Sequence, residues 1–157
     1  KSLQTNLSKL LPYSTKDDFF TGDVDIIPDL RIVLVWEYEK GNILQDNRFV
    51  QIQAYSYAGN ELVLTGSVGA SDGLDNTYTP FKPIGQLDPT NSSRYFACSG
   101  AYQVYTIGIS STGTLRIESV YDPPLNIAVR VIELSKTGTL LALSWGKIPV
   151  VGKCRAP

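Results

Sequence analysis

The sequence predicts an all-β protein, an antiparallel β-sandwich or jelly roll of about seven to nine short strands behind an irregular N-terminal arm. Three observations carry this. Short runs rich in β-branched and aromatic residues recur along the chain, bounded by Gly, Asn, Asp and Ser. No stretch repeats apolar residues with a helical period over the length a helix needs. One turn sequence also occurs twice, as ISSTGTLRI from Ile109 and as LSKTGTLLAL from Leu134.

Residues 1–30 have short apolar pairs, two prolines and five aspartates without a sustained period, and read as a lead-in packed on the domain. RIVLVWEY (31–38) is nearly continuous in apolar residues, as expected of a strand covered on both faces. RFVQIQAYSY (48–57) alternates, with Val50, Ile52 and Ala54 on one face and Gln51, Gln53 and Tyr55 on the other. ELVLTGSV (61–68) follows a short Gly/Asn turn of the hairpin kind. Residues 69–93 lose all periodicity and read as a long loop dense in turn formers.

Strands resume at 101–109, 114–121, 125–134 and 139–145, with a further edge strand at 148–151. In the segment from 125, Leu125, Ile127, Val129 and Val131 alternate inward against Asn126, Ala128 and Arg130. Gly113 and Gly138 are expected to supply the positive φ of two tight hairpins, and YAGNELVL uses the same layout around Gly59. Unequal spacing between these turns excludes a solenoid or propeller period. The repeated sequence is therefore a local hairpin device.

At 157 residues the chain fits one domain, a lead-in of 1–30 followed by a sandwich of 31–157. A content of 43% hydrophobic and 18% charged residues argues against disorder. A net charge of -1 without a basic cluster leaves nucleic acid without an electrostatic footprint. The longest apolar run, IVLVW, is too short to span a bilayer, so no membrane insertion is expected. Histidine is absent, which removes the Ser-His-Asp and Cys-His templates and every zinc site needing an imidazole. Methionine is absent too, even at position 1, as expected of a processed product or an excised piece of a longer chain.

The candidate sites are modest. Asp17, Asp18, Asp23, Asp25 and Asp29 cluster, but the full calcium-loop pattern is missing, so solvated turn carboxylates are expected. No cofactor or metal is expected. Cys98 and Cys154 are candidates for one disulfide, the alternative being two separate buried thiols. Asn6 and Asn91 open Asn-x-Ser sequons, acceptors for glycan only in the secretory pathway. The nine tyrosines suggest a recognition surface, since tyrosine combines rigid contact area with a polar tip. Tyr55, Tyr57, Asp72, Asp75, Asn76, Tyr78 and Phe81 are the expected ligand-binding residues, most of them in the long loop.

SSRYFACSGAYQVYTIGISSTGTLRIESV (92–120) reads as a turn, a Gly-x-Tyr strand start and a Gly-Thr hairpin. That segment resembles the late strands of protruding domains of small icosahedral virus capsids. It is also similar to phage and adenovirus-type fibre heads and to C1q/TNF-like jelly rolls. The resemblance implies a non-enzymatic domain on a virion surface that attaches to a host receptor protein or glycan, as a dimer or trimer. The alternative is a secreted or cell-surface β-sandwich, lectin-like or cytokine-like. Either reading places the chain on a virion surface or outside the cell.

Overall fold

The computed structural model describes residues 19–40, 47–75, 84–98, 103–122, 129–137 and 140–144. Among them are β1 (Phe19–Ile27), β2 (Ile32–Lys40), β3 (Asn47–Ser56) and β4 (Val63–Gly69), forming one antiparallel sheet in that order. A second sheet holds β5 (Ile84–Leu87), β6 (Arg94–Cys98), β7 (Val104–Ile109) and β8 (Leu115–Tyr121), again in chain order. β9 (Val129–Leu134) and β10 (Leu140–Ser144) form a separate hairpin. No α-helix occurs among the described residues, only 3₁₀ turns at Pro28–Leu30 and Ala70–Asp72. The protein is an all-β sandwich. Each sheet is a consecutive meander rather than the interleaved Greek keys of a jelly roll.

Strand parity builds the core. On β2, Ile32, Leu34 and Trp36 face inward and meet Ile52, Ala54 and Val68 of their own sheet. Across the interior lie Tyr95, Ala97, Tyr105, Ile107, Ile109 and Leu115 of the second sheet. The opposite face of β2 is covered as well, with Val33 at 0% and Val35 at 2% exposure beside Tyr55, Tyr57 and Leu62. That double burial is what the unbroken apolar run at 32–36 encodes. The β9–β10 hairpin covers the outer face of the second sheet, where Ile132 and Leu134 pack on Ile84, Phe96, Cys98 and Val104.

The structure departs from the sequence reading in several places. Phe19–Ile27, read as part of the lead-in, is a strand, interrupted by a register shift between Thr21 and Val24. Asp25 is not a turn carboxylate: it lies on that strand opposite Leu34 and accepts a hydrogen bond from the Tyr95 hydroxyl. β5 lies inside the stretch read as a loop, and β6 lies where a turn was read. On β9 Ile132 is buried, while the side chains of Leu125 to Arg130 and Val131, read as alternating inward and outward, lie outside the described residues. The β9–β10 ladder carries a register shift, with Leu143 paired to Val131 and Ser144 to Val129, so Arg130 is an extra residue there. The expected edge strand at 148–151 lies outside the described residues.

The repeated turn is one device used twice. At the first copy Ser110 Oγ accepts from the N–H groups of Thr112 at 3.3 Å and Thr114 at 2.9 Å. The Ser110 and Thr112 hydroxyls are 2.9 Å apart, and Gly113 holds φ +88°. The second copy repeats the serine's role: Ser135 Oγ accepts from Thr137 N–H at 3.3 Å, and the two hydroxyls are 2.7 Å apart. The serine is therefore the centre of the motif, bonding to backbone two residues on. Gly138 lies outside the described residues. Gly59 does not copy the device, since its φ is not positive and a Cβ there would meet nothing.

Among the described residues, three of the four edge strands of the two four-stranded sheets carry an extra residue. On β1 Gly22 and Asp23 oppose one residue of β2, on β4 Thr65 interrupts the register, and on β8 Glu118 does. The fourth, β5, has four described residues. Bulges and short strands twist an edge away from pairing with a further chain.

Candidate functional site

Strand directions sort the connections into two ends. At the end marked by Gly113 lie the turn at 28–31, the β3–β4 turn, the β5–β6 turn and the β7–β8 hairpin. They are tied together: Tyr57 N–H donates to Arg31 O at 2.9 Å and Ile109 N–H to Ser93 O at 2.8 Å. Thr65 Oγ1 donates to Ala54 O at 3.1 Å and lies 3.4 Å from Gly113 O, linking the two sheets. At the other end, marked by Gly69, the chain leaves β4 toward residues 70–75 beside the start of β7 and the end of β8.

The Gly69 end has a hydrogen-bonded base. Asp72 accepts from Gly69 N–H at 2.9 Å, and Gly73 closes the turn at φ +100°. Asp75 N–H then donates to the Tyr105 hydroxyl at 2.8 Å. That hydroxyl donates to Gln103 Oε1, and Gln103 Nε2 donates to Asp122 at 2.6 Å. One chain of bonds thus joins the start of the long loop to the strands on either side. Burial raises the Tyr105 pKa above its ordinary value, with the Asp75 charge adding to it against the Asp75 N–H bond.

The expected ligand-binding residues do not form one site. Asp72 is exposed, with its carboxylate committed to Gly69 N–H and Ser71 Oγ, and Asp75 is half-buried. Asn76, Tyr78 and Phe81 lie outside the described residues. Tyr55 and Tyr57 sit near the Gly113 end, separated from Asp72 by the length of β4, about 20 Å. Tyr55 is a packing residue, buried against Val33 and Val35 with its hydroxyl donating to Gln53 Oε1 at 2.8 Å. Burial, with the Glu37 charge second, raises its pKa. Of the other tyrosines, Tyr95 and Tyr105 are core.

Burial, then the Asp75 charge, pushes the Cys98 thiol up to about 12, so it is protonated at neutral pH, the wrong state for a nucleophile. Cys154 and Asn6 lie outside the described residues. Asn91 is exposed on the β5–β6 turn. Among the described residues no three His, Cys, Asp or Glu side chains come together as a metal site.

Sequence reasoning missed the working polar groups. Gln103 and Asp122 pin the Gly69 end, and Asp88, fully inaccessible, accepts from Thr90 N–H at 2.8 Å and Arg94 Nε at 2.7 Å. The spacing Asp-x-Thr was the available signal for that turn.

The sequence matches no protein-family model, and no curated protein is similar to it. The fold alone therefore defines the class, an all-β sandwich.

Proposed function

We propose that this is a non-enzymatic recognition domain, a projecting capsid or fibre domain that attaches a virion to a host receptor protein or glycan. The observation that carries the reading is the pinned base of the Gly69 end. The Asp75–Tyr105–Gln103–Asp122 chain ties the residue just before the segment bearing Asn76, Tyr78 and Phe81 to the start of β7 and the end of β8. A segment held at a rigid base loses less entropy on binding, and tyrosine and phenylalanine supply contact area.

Self-association belongs to the same reading, and it uses a sheet face rather than an edge. The edges are bulged or short, while Val24, Ile26 and Leu64 stand 42%, 47% and 53% exposed on the outer face of the first sheet. They flank the buried Val33 and Tyr55 in register, the kind of apolar row a second copy would cover. The test is a glycan array probed with the whole domain, together with its mass in solution. Binding to a glycan class by a dimer or trimer supports the reading; a strict monomer silent on every glycan and on host cells contradicts it.

The second reading, a secreted or cell-surface lectin-like or cytokine-like protein, is favoured by one observation, the exposed sequon at Asn91.

A further inference from the structure

We propose that Asn91 is an acceptor for an N-linked glycan, presented at the Gly113 end of the sandwich. Asn91-Ser92-Ser93 carries the hydroxyl two residues on that the glycosyl-transfer signal requires. Its geometry suits the chemistry. Asn91 Oδ1 accepts from Ser93 N–H at 3.0 Å, an Asx turn that fixes the carboxamide. Nδ2, the atom to be glycosylated, makes no hydrogen bond among the described residues, and Asn91 and Ser93 are both exposed.

The surrounding turn holds this arrangement. Asn91 N–H donates to Asp88 O at 3.2 Å, and Arg94 N–H donates to Asn91 O at 3.0 Å. Beneath it, the inaccessible Asp88 carboxylate is gripped by Arg94 and Thr90. The acceptor is thus a fixed protrusion from the core.

In the transfer step Nδ2 forms a bond to C1 of an oligosaccharide carried on a lipid pyrophosphate. The C1–O bond breaks, the lipid pyrophosphate leaves with the electron pair, and an amide proton passes to a base of the transferase. Nothing is oxidised or reduced. The product places a bulky polar group opposite Asp72 and Asp75, so it shields one end of the sandwich and leaves the other open. Occupancy is measured without any receptor, so the inference is tested independently of binding, and an occupied Asn91 favours the secreted or cell-surface reading.

The experiment is secretion of the full chain from a eukaryotic cell behind a cleavable signal, followed by site-specific peptide mapping before and after peptide N-glycosidase. The mapping separates Asn91 from Asn6. The expected result is a glycan on the Asn91 peptide that the amidase removes, converting Asn91 to Asp. Ser93→Ala keeps the backbone N–H and is expected to abolish occupancy, whereas Ser93→Thr retains it; Trp fluorescence reports that both variants are folded. An unmodified Asn91 peptide in folded, secreted protein overturns the proposal. So does occupancy that persists in Ser93→Ala.

Discussion

The indole Nε1–H of Trp36 donates to the Tyr95 hydroxyl at 3.0 Å, joining the two sheets through the middle of the core. The rings lie 6.1 Å apart between centroids and are tilted by 53°, and the hydroxyl donates onward to Asp25. Three strands, β1, β2 and β6, are thereby set in one register. Apolar contact alone would let the sheets slide; a directional bond in a low-dielectric interior does not.

Tyr95→Phe removes the hydroxyl that serves both Trp36 and Asp25 while keeping the ring. It is expected to cost about 1–3 kcal/mol, the range for withdrawing one partner from a buried polar group. Urea unfolding checks this: the midpoint should fall with an unchanged slope. A midpoint equal to the wild type would mean that the bond contributes nothing.

Gly85 is where the link leans on backbone. A Cβ at Gly85 would overlap Tyr95 Oη and Trp36 Cζ2, both interior atoms without room to retreat. Gly85→Ala is therefore expected to cost about 1–3 kcal/mol by overpacking. Gly59→Ala meets nothing and sits at ordinary φ, so it should change stability by no more than about 0.5 kcal/mol. Thermal unfolding of the two variants side by side separates close approach from generic glycine effects.

Asp88 makes stability depend on acid. Burial by itself raises its pKa, but the Thr90 and Arg94 bonds outweigh burial and hold it below the ordinary 3.8. Because the folded value lies below the unfolded one, the unfolded chain takes the proton first. The stabilisation is complete above the unfolded pKa and disappears as pH falls through the folded one. Asp88→Asn should cost about 1.5–3 kcal/mol at neutral pH. The gap between the two proteins should then narrow as pH drops below about 4. Urea titrations over that range would show it; a gap that stays constant into strong acid contradicts the assignment.

The strands that could be read from the sequence are those whose chemistry is local. Ile32 to Trp36 announces burial on both faces, and the Ser-x-Thr-Gly turn announces a hairpin. Other features depend on partners far away in the chain. Arg94–Cys98 has no alternation because Tyr95 and Ala97 face one layer while Phe96 and Cys98 face another. Ile84–Leu87 is too short for any period. Asp25 looks like a solvated carboxylate until Tyr95, seventy positions later, comes to meet it. The tyrosines were the least informative guide to recognition, because Tyr55, Tyr95 and Tyr105 spend their rings on packing and their hydroxyls on internal bonds.

Binding of the whole domain to host-cell surfaces and to an arrayed glycan panel tests the central claim, that recognition resides at the Gly69 end on an inert scaffold. The triple variant Asn76→Ala, Tyr78→Ala, Phe81→Ala should lose roughly 30-fold or more in affinity, the scale of an interface hot spot, with its unfolding midpoint unchanged. Tyr57→Ala, at the opposite end, should bind as the wild type does. Undiminished binding by the triple variant, or equal loss in Tyr57→Ala, would contradict the account.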